Sequence, residues 1–293
     1  MTRPRKPAPS AAAKTGQNER SHGQKPGRER RPEAPRGGER RPGGHGGAPA
    51  GMLYGIHPVA AAWTNPERRV RRLLATDSGL EALADAFAEA RRQGIARPEP
   101  TPVERAELDR VLPPGAVHQG VALDAGPLPE MGLDELCTAA GVDSRMLLIV
   151  LDQVTDPHNV GAILRSASAF GARGVLVTER HAPEVTGVLA KSASGALEAV
   201  PLIRVGNLAQ ALGQLQQAGF WCVGLAESGA RTLAELDFSG RTAIVLGAEG
   251  PGLRRLTMER CDEIARLPTQ GPIGSLNVSN AAAVALYEVA RRR

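Results

Sequence analysis

The chain has 293 residues and a formal net charge of +5 at pH 7, a length that suits two domains of ordinary size. It has no run approaching the roughly 20 apolar residues of a membrane helix, and its three cysteines, Cys137, Cys222 and Cys261, form no CxxC pair. These features argue against a membrane protein, a disulfide scaffold and a zinc site, and they predict a cytoplasmic protein.

Residues 1–50 differ in composition from the rest of the chain. They contain no Val, Ile, Leu, Phe, Trp, Tyr or Cys, and they hold 12 Lys/Arg against 4 Glu. Because such a segment cannot offset the entropy cost of ordering, we predict a disordered basic tail. Its composition favours RNA as a partner, with a solubilising leader as the alternative. Without an apolar core or an amphipathic helix, it resembles neither a secretory nor a transit peptide.

Residues 51–125 predict a small α/β domain. The expected elements are a helix over 57–63, a strand over 70–76, a helix over 80–93, a strand at 101–103, a helix over 104–111 and a strand over 120–124. Residues 126–145 predict a linker with one short helix over 133–140.

From residue 146 to residue 293 the pattern predicts a second domain of alternating strands and helices. Strands are expected at 146–152, 174–178, 199–204, 220–226, 242–247 and 263–267. Helices are expected at 159–170, 184–193, 207–218, 253–260 and 278–291. The runs LLIVL, GVLVT and AIVLG are continuously apolar, which is typical of a parallel sheet covered by helices on both faces. The fold class is therefore α/β.

The first motif, DPHNVGAILRSA, follows a predicted strand that ends at Asp152. The amide of Asn159 can orient a hydroxyl or a phosphate, and the guanidinium of Arg165 suits a phosphate. The alternatives are a helix N-cap for Asn159 and a solvated helix face for Arg165. Polar residues at this edge of an open α/β sheet commonly contact a ligand.

The second motif, GAEGPG at 247–252, joins an apolar strand to a helix. Its glycines allow the backbone to approach a ligand closely. Glu249 would repel a pyrophosphate, and neither GxGxxG nor GxxxxGK[ST] is present, so a phosphate cradle is disfavoured. Glu249 is instead expected to hold a cation or to accept hydrogen bonds from donors in a pocket.

The third motif, LPTQGPIGSLNVSN at 267–280, contains too many helix breakers before Ser275 to be helical. A terminal helix then begins near Asn277. Helix capping is the alternative role for Ser275 and for Asn277. An apolar face of small residues follows, formed by Val278, Ala282, Ala285, Leu286 and Val289.

Together these motifs resemble the three motifs of the SpoU (TrmH-type) branch of the knotted SPOUT methyltransferases. In addition, YGIHPVAAA at 54–62 and GAVHQGVAL at 115–123 resemble the start and end of that family's small RNA-binding domain. The resemblance covers about 52–291 and is closest to the RlmB-like branch. It implies a trefoil knot, S-adenosylmethionine as cofactor, and methylation of a guanosine ribose 2′-hydroxyl in 23S rRNA.

The resemblance also implies roles for individual residues. Arg165 would stabilise developing charge on the hydroxyl or accept its proton, and Asn159, Ser275 and Asn277 would position Arg165, the ribose or the cofactor. Glu249 would fix that network.

The adenosyl group would contact Gly247, Leu267 and Leu276, with Leu225 as a weaker candidate. No metal is expected. Because SPOUT enzymes bind cofactor beside a dimer interface, and because the small-residue face of the last helix suits close packing, we predict a homodimer.

Three alternatives stay open. A tRNA ribose methyltransferase is the nearest, although the small N-terminal domain favours rRNA. A non-catalytic RNA-binding or ribosome-assembly protein is disfavoured because all motif residues are present. A nucleotide-binding oxidoreductase is disfavoured because the glycine fingerprint is missing.

Overall fold

The computed structural model describes residues 52–271 and 274–293. The expected basic tail, residues 1–50, lies outside the described residues, and so do Pro272 and Ile273 in the third motif. The knot therefore stays a prediction.

The first sheet has four strands in the order β1-β4-β2-β3. Strand β4 is antiparallel to β1 and β2, and β3 is parallel to β2. The strands are β1 (Met52–Tyr54), β2 (Val70–Ala75), β3 (Thr101–Pro102) and β4 (Val121–Ala125); the helices are α1 (Ile56–Thr64), α2 (Asp77–Ala82), α3 (Ala84–Arg92) and α4 (Arg105–Val111). We call residues 52–125 the small unit.

The helix predicted over 80–93 is wrong in its extent, because the chain forms two helices there. The side chain of Thr76 accepts a hydrogen bond from the Gly79 backbone and so begins α2 three residues early. Gly79 packs closely, since a Cβ on it would lie 2.4 Å from the Gly120 carbonyl oxygen. Leu83 then separates α2 from α3 with non-helical angles. Gly79 is a weak helix former, and its place in α2 is explained by this close packing. Sequence periodicity does not detect such a contact.

The second sheet has seven strands, all parallel, in the order β7-β6-β5-β10-β8-β11-β9. The strands are β5 (Leu147–Asp152), β6 (Gly174–Thr178), β7 (Leu202–Val205), β8 (Trp221–Leu225), β9 (Arg231–Thr232), β10 (Thr242–Gly247) and β11 (Glu263–Arg266). The helices are α5 (Leu133–Ala140), α6 (Pro157–Ala169), α7 (Gly187–Ala193), α8 (Leu208–Gln217), α9 (Arg255–Arg260) and α10 (Val278–Ala290). We call residues 146–293 the large unit.

The six strands and five helices expected from residue 146 onward are present, with ends that differ by up to three residues. A 3₁₀ turn, Ala196–Glu198, precedes β7, so that strand begins at Leu202. Strand β9 was not predicted, because two residues are too few to show alternation.

Apolar clusters cover both faces of the large sheet. One cluster packs Ile149 of β5 with residues of α6, α7 and α10, and the other packs Leu148 with α5 and α8. This accounts for the continuously apolar strands. Helix α5 packs on β7 and α8, although its segment was expected to be a linker; the division into domains stays a prediction.

The small-residue face of α10 is buried inside this chain. Val278, Ala282, Ala285, Leu286 and Val289 are each at most 5% exposed, and α10 packs against α6. This face therefore cannot be the surface that meets a second copy. The exposed apolar side chains of α10 are Val284 and Tyr287.

Candidate active site

The strand order brings the first two motifs side by side. Strand β10 runs parallel to β5, and their last pair is Gly247 with Asp152. Helix α6 follows β5, and the glycine-rich loop at 247–252 follows β10. Since α10 packs against α6, the third motif reaches the same edge of the sheet. The fold therefore gathers three distant segments at the carboxyl ends of two central strands.

Asn159, Glu249 and Asn277 form one hydrogen-bonded group, which we call the polar cluster. Asn159 Nδ2 donates to Glu249 Oε1 at 3.1 Å, and Asn277 Nδ2 donates to Asn159 Oδ1 at 3.1 Å. Asn277 Nδ2 also donates to Glu249 Oε1. Two amides are therefore oriented by one carboxylate.

The polar cluster keeps some capacity for a ligand. One N–H of Asn159 Nδ2 and Glu249 Oε2 make no hydrogen bond to the residues that the structure describes. The cluster is also open to solvent, since Glu249 and Asn277 are exposed and Asn159 is half-buried. A ribose hydroxyl, which both donates and accepts, fits this pair of free groups.

The structure distinguishes Asn159 from Asn277, because only one of them caps a helix. Asp156 caps α6 by accepting from the His158 backbone, so the N-cap alternative for Asn159 is wrong. Asn277 does cap α10, because its Oδ1 accepts from the backbone N–H of Ser279 at 2.9 Å. Asn277 thus serves the helix with its oxygen and the polar cluster with its nitrogen.

The loop at 247–252 closes on itself. The Gly252 backbone donates to the Ala248 carbonyl at 3.0 Å, and a Cβ on Gly247 would lie 2.1 Å from the Gly252 carbonyl carbon. Gly250 and Gly252 have φ of 82° and 67°, in the left-handed region that favours glycine. These glycines therefore hold Glu249 at the tip of a tight turn.

A cavity of about 640 Å³ lies beside the polar cluster and is lined mainly by residues 225–228, 246–253 and 274–278. This volume is in the range of cofactor sites. Glu249, Ser275 and Asn277 line it. So do all four residues expected to contact the adenosyl group, namely Gly247, Leu267, Leu276 and Leu225.

Arg165 does not join the polar cluster. It is exposed on α6, and its side chain forms no ion pair or hydrogen bond with any other residue that the structure describes. Six residues of helix place it about 120° around the axis from Asn159 and about 9 Å along it. The geometry of the chain alone thus leaves the solvated-face alternative for Arg165 open.

Asp152 and Arg254 hold the loop and were not among the expected site residues. Asp152 Oδ1 accepts from Arg254 Nε at 2.6 Å, and Oδ2 accepts from the Arg254 backbone at 3.0 Å. Asp152 is 0% exposed, so its charge needs this partner. A carboxylate that ends a continuously apolar strand was the signal in the sequence.

Two sections of the chain match known families. Residues 146–287 match the SpoU rRNA methylase family, and residues 52–131 match the RNA 2′-O ribose methyltransferase substrate-binding family. The chain is 42% identical over 243 residues to the 23S rRNA (guanosine-2′-O-)-methyltransferase RlmB of Pasteurella multocida, covering 82% of this chain and 98% of that protein. The RlmB of Pseudomonas aeruginosa is 40% identical, with 82% and 96% covered.

The chain belongs to the SpoU rRNA methylase family. A solved member, the SpoU methyltransferase AviRb from Streptomyces viridochromogenes in complex with the cofactor AdoMet, is similar to this chain with a TM-score of 0.67. It is 28% identical, and the match covers 83% of this chain and 89% of AviRb. The expected α/β SPOUT fold is confirmed by these matches.

The segment that matches the SpoU family contains all three motifs and ends three residues before the end of α10. Within 52–271 and 274–293, no group of three or more His, Cys, Asp or Glu is arranged to hold a metal ion. None of the helices in those ranges has the length and apolarity to cross a membrane.

Proposed function

We propose that the protein transfers a methyl group from S-adenosylmethionine to the 2′-hydroxyl of a guanosine ribose in 23S rRNA. The observation that carries the proposal is the polar cluster, which joins one residue of each SpoU motif beside a cofactor-sized cavity. The two RlmB relatives, at 42% and 40% identity over nearly their whole length, support the rRNA substrate.

The cavity residues fit S-adenosylmethionine. Leu225, Leu267 and Leu276 supply an apolar wall for an adenine ring, and the loop at 247–252 supplies backbone groups for polar contacts. When bound, this cofactor supplies an electrophilic methyl group on a sulfonium. Gly247 lines the cavity, and its lack of a side chain lets the loop fold back closely on Gly252. We therefore assign the Gly247 backbone to a contact with the adenosyl group.

The chain must also bind the acceptor ribose and manage its proton. We assign the free N–H of Asn159 and Oε2 of Glu249 to orienting the ribose, with Asn277 fixing both groups. Ser275, on the cavity wall, is a further contact to the ribose or cofactor.

As the ribose oxygen takes the methyl group, its proton would pass to the solvent that reaches the open polar cluster, and the oxygen gains negative charge during the transfer. A guanidinium suits this charge and the adjacent RNA phosphate, so we give Arg165 that role. This role is consistent with the Arg165 guanidinium, which has no partner among the residues that the structure describes and so has donors available for RNA.

We further infer that the protein acts as a homodimer in the cytoplasm, where a ribosomal RNA substrate would be found. Val284 and Tyr287 are 46% and 55% exposed on α10, and Phe170, which follows the last residue of α6, packs edge-on against Tyr287. An exposed apolar surface of this kind suits an interface with a second copy. Tyr287→Glu should shift the molecular mass in solution toward the monomer, and an unchanged mass would contradict this interface.

The test of the proposed function is transfer of labelled methyl from S-adenosylmethionine to 23S rRNA and, separately, to bulk tRNA. Arg165→Ala is run beside the wild type. We expect label in 23S rRNA and a loss of about 10²–10³-fold in the variant, as for removal of one charge-stabilising donor. Cofactor affinity should be unchanged, because Arg165 does not line the cavity.

The other outcomes each point elsewhere. Label in tRNA alone would replace the rRNA substrate. Cofactor binding without transfer to either RNA would favour a binding role in ribosome assembly. Full activity of Arg165→Ala would return Arg165 to a solvated helix face.

A further inference from the structure

The small unit is packed tightly onto the large unit. Helix α1 lies along α7 and the 3₁₀ turn Ala196–Glu198. A single buried apolar cluster includes Val59 and Trp63 of the small unit together with Leu189 and Leu197 of the large unit. We call this contact the unit interface.

Two glycines allow a close approach of the chain at the unit interface. A Cβ on Gly187 would lie 2.4 Å from the Tyr54 ring and 2.7 Å from the Met52 carbonyl oxygen, and a Cβ on Gly195 would lie 2.8 Å from Ala61 Cβ. Gly55 instead faces the end of the flexible Lys191 side chain. The close packing at Gly187 and Gly195 restricts how the two units can move against each other.

A buried ion pair fixes one end of α1. Arg68 Nη2 lies 2.5 Å from Glu198 Oε1, and the two side chains are only 4% and 7% exposed. Asn65 Nδ2 donates to Glu198 Oε2 at 2.8 Å, and Arg68 Nη1 donates to the Gly126 carbonyl at 2.7 Å. Both carboxylate oxygens of the large unit's Glu198 thus accept hydrogen bonds from the small unit.

Arg97 holds the loop that carries these partners. Its guanidinium donates to the backbone carbonyls of Trp63 at 2.7 Å, Asn65 at 2.5 Å and Arg68 at 2.8 Å. The donors that face Glu198 are therefore preorganised, so little freedom is lost when the pair forms.

The opposite end of α1 has a second link. Gln119 Oε1 accepts from the Ile56 backbone at 3.3 Å and from the Lys191 ammonium of α7. Gln119 holds φ at 55°, in the left-handed region, which is uncommon for a residue with a side chain. The hydrogen bond between Gln119 and Lys191, which joins the two units, offsets this unfavourable backbone conformation.

Helix α7 contacts both the small unit and α6, and α6 carries Asn159 of the polar cluster. A Cβ on Gly161 of α6 would lie 2.5 Å from Ser192 Cβ and 2.7 Å from the Leu189 carbonyl oxygen. His158 Nδ1 also lies 3.2 Å from Ser192 Oγ. Since His158 and Asn159 are adjacent, α7 fixes the helix end that carries the first residue of the polar cluster.

We propose that the Arg68–Glu198 ion pair is a positioning device, which fixes the small unit relative to the polar cluster and thereby selects the nucleotide that reaches it. This inference rests on the proposed function. Buried ion pairs add little net stability over apolar packing, but they restrict geometry, because any other arrangement leaves a charge unpaired. RNA held on the small unit is then presented to the cavity at one distance only.

The test compares Glu198→Gln with Glu89→Gln in the full chain. Glu89 pairs with Arg92 on α3, where the two side chains are 35% and 70% exposed, so the control removes the same charge from a more exposed ion pair inside the small unit. Four measurements are made on each variant. They are amide hydrogen exchange over residues 56–64, the dissociation constant for S-adenosylmethionine, the methylated positions in 23S rRNA mapped at single-nucleotide resolution, and kcat and KM for 23S rRNA.

We expect Glu198→Gln to accelerate exchange in α1 and to lower kcat/KM for 23S rRNA by about tenfold or more, because small displacements are costly in catalysis. Methylation should spread to neighbouring nucleotides. The cofactor dissociation constant should stay within about twofold of the wild type, since neither Arg68 nor Glu198 lines the cavity. A merely structural role would lower activity without changing which nucleotide is methylated.

Gln119→Gly is the second variant, because it removes the other link while relieving the positive φ, and so protects folding. It should have the same signature with a smaller effect. The proposal is overturned if exchange in α1 is unchanged in both variants and in their combination. It is also overturned if exchange accelerates while one nucleotide is still methylated at the wild-type kcat/KM.

Failure of the proposed function would look different. The wild type would then bind S-adenosylmethionine but leave 23S rRNA unlabelled, whereas the exchange data would still report whether Glu198 holds the small unit.

Discussion

The polar cluster and the hydrogen-bonded group of Asn65, Arg68 and Glu198 contain similar side chains, but the first is exposed to solvent and the second is buried. Each joins side chains that are more than 85 positions apart, through a glutamate that accepts from an asparagine. In the unit interface, the side chain of Glu198 is 7% exposed and both of its carboxylate oxygens accept hydrogen bonds from protein groups. In the polar cluster, Glu249 is exposed, and of its two carboxylate oxygens only Oε1 accepts from residues within 52–271 and 274–293.

This difference separates structural from ligand-binding polar groups. A charge that has lost its water must be satisfied by protein groups at all times, so its network specifies geometry. A charge that keeps its water can exchange it for a ligand. Chemistry alone would give Glu198 and Glu249 the same role, and burial distinguishes them.

The largest expected effect is on stability. Glu198→Ala should lower the free energy of unfolding by about 3–5 kcal/mol, because it leaves Arg68 buried without its partner. Glu249→Ala should change it by less than about 0.5 kcal/mol, as for other exposed positions. Urea unfolding followed by circular dichroism measures both. Equal losses would mean that the polar cluster is as structural as the ion pair.

The next effect is on catalysis, and Asn277 allows it to be isolated. Asn277→Asp keeps the oxygen that caps α10 but replaces the donor to Asn159 and Glu249 with a second carboxylate oxygen. We expect methyl transfer to fall about 10–100-fold, since the amides lose their alignment and two carboxylates repel. The unfolding midpoint should hold, because Asp is also a good N-cap.

Asn277→Ala provides the contrast, because it removes both functions. It should lower activity to a similar extent and also cost about 0.5–2 kcal/mol of stability through the lost cap. An Asn277→Asp enzyme with wild-type activity would contradict any part for Asn277 in orienting the ribose.

The sequence predicts the parallel sheet and the three motifs, but it does not predict the hydrogen bonds that join the motifs. The parallel sheet follows from runs such as LLIVL, because only strands covered on both faces are continuously apolar. The three motifs follow from resemblance. The bond between Asn159 and Asn277 does not, because it spans 118 positions and depends on the order of elements that lets α10 pack against α6. No local pattern encodes that order.

The Arg68–Glu198 pair was missed for a related reason. Arginine and glutamate are ordinarily surface residues, and neither stands in a motif, so their burial depends entirely on how the two units pack. The small α2 helix was missed because Gly79 lowers helix propensity there, while Thr76 and the contact with Gly120 favour it. In each case tertiary packing outweighed local preference.

A smaller effect should follow from straining the backbone of the loop that carries Glu249. Gly252→Ala places a Cβ at a φ of 67°, which costs about 1–2 kcal/mol in local strain, so the loop should rearrange and cofactor affinity should fall. Gly213→Ala is the matched control. Gly213 lies inside α8, and nothing would contact its new Cβ within 4 Å. That change should stabilise the protein by about 0.4–1 kcal/mol.

Calorimetry with S-adenosylmethionine, together with thermal unfolding, distinguishes these two glycines. If both alanine variants bind cofactor as the wild type does, the positive φ at 252 is not needed to shape the cavity.

The smallest effect should come from deleting residues 1–50. The deletion removes 12 Lys/Arg and 4 Glu but no residue of the polar cluster or of the unit interface, so stability, cofactor affinity and the methylated nucleotide should all be unchanged. RNA binding should weaken a few-fold at physiological salt and depend less steeply on salt concentration, because each lost phosphate contact lowers the slope of log K against log salt by about 0.7–0.9. A truncated protein that methylates a different nucleotide would move part of the selection from the unit interface to the tail, while an unchanged salt slope would leave the tail without a role in RNA binding.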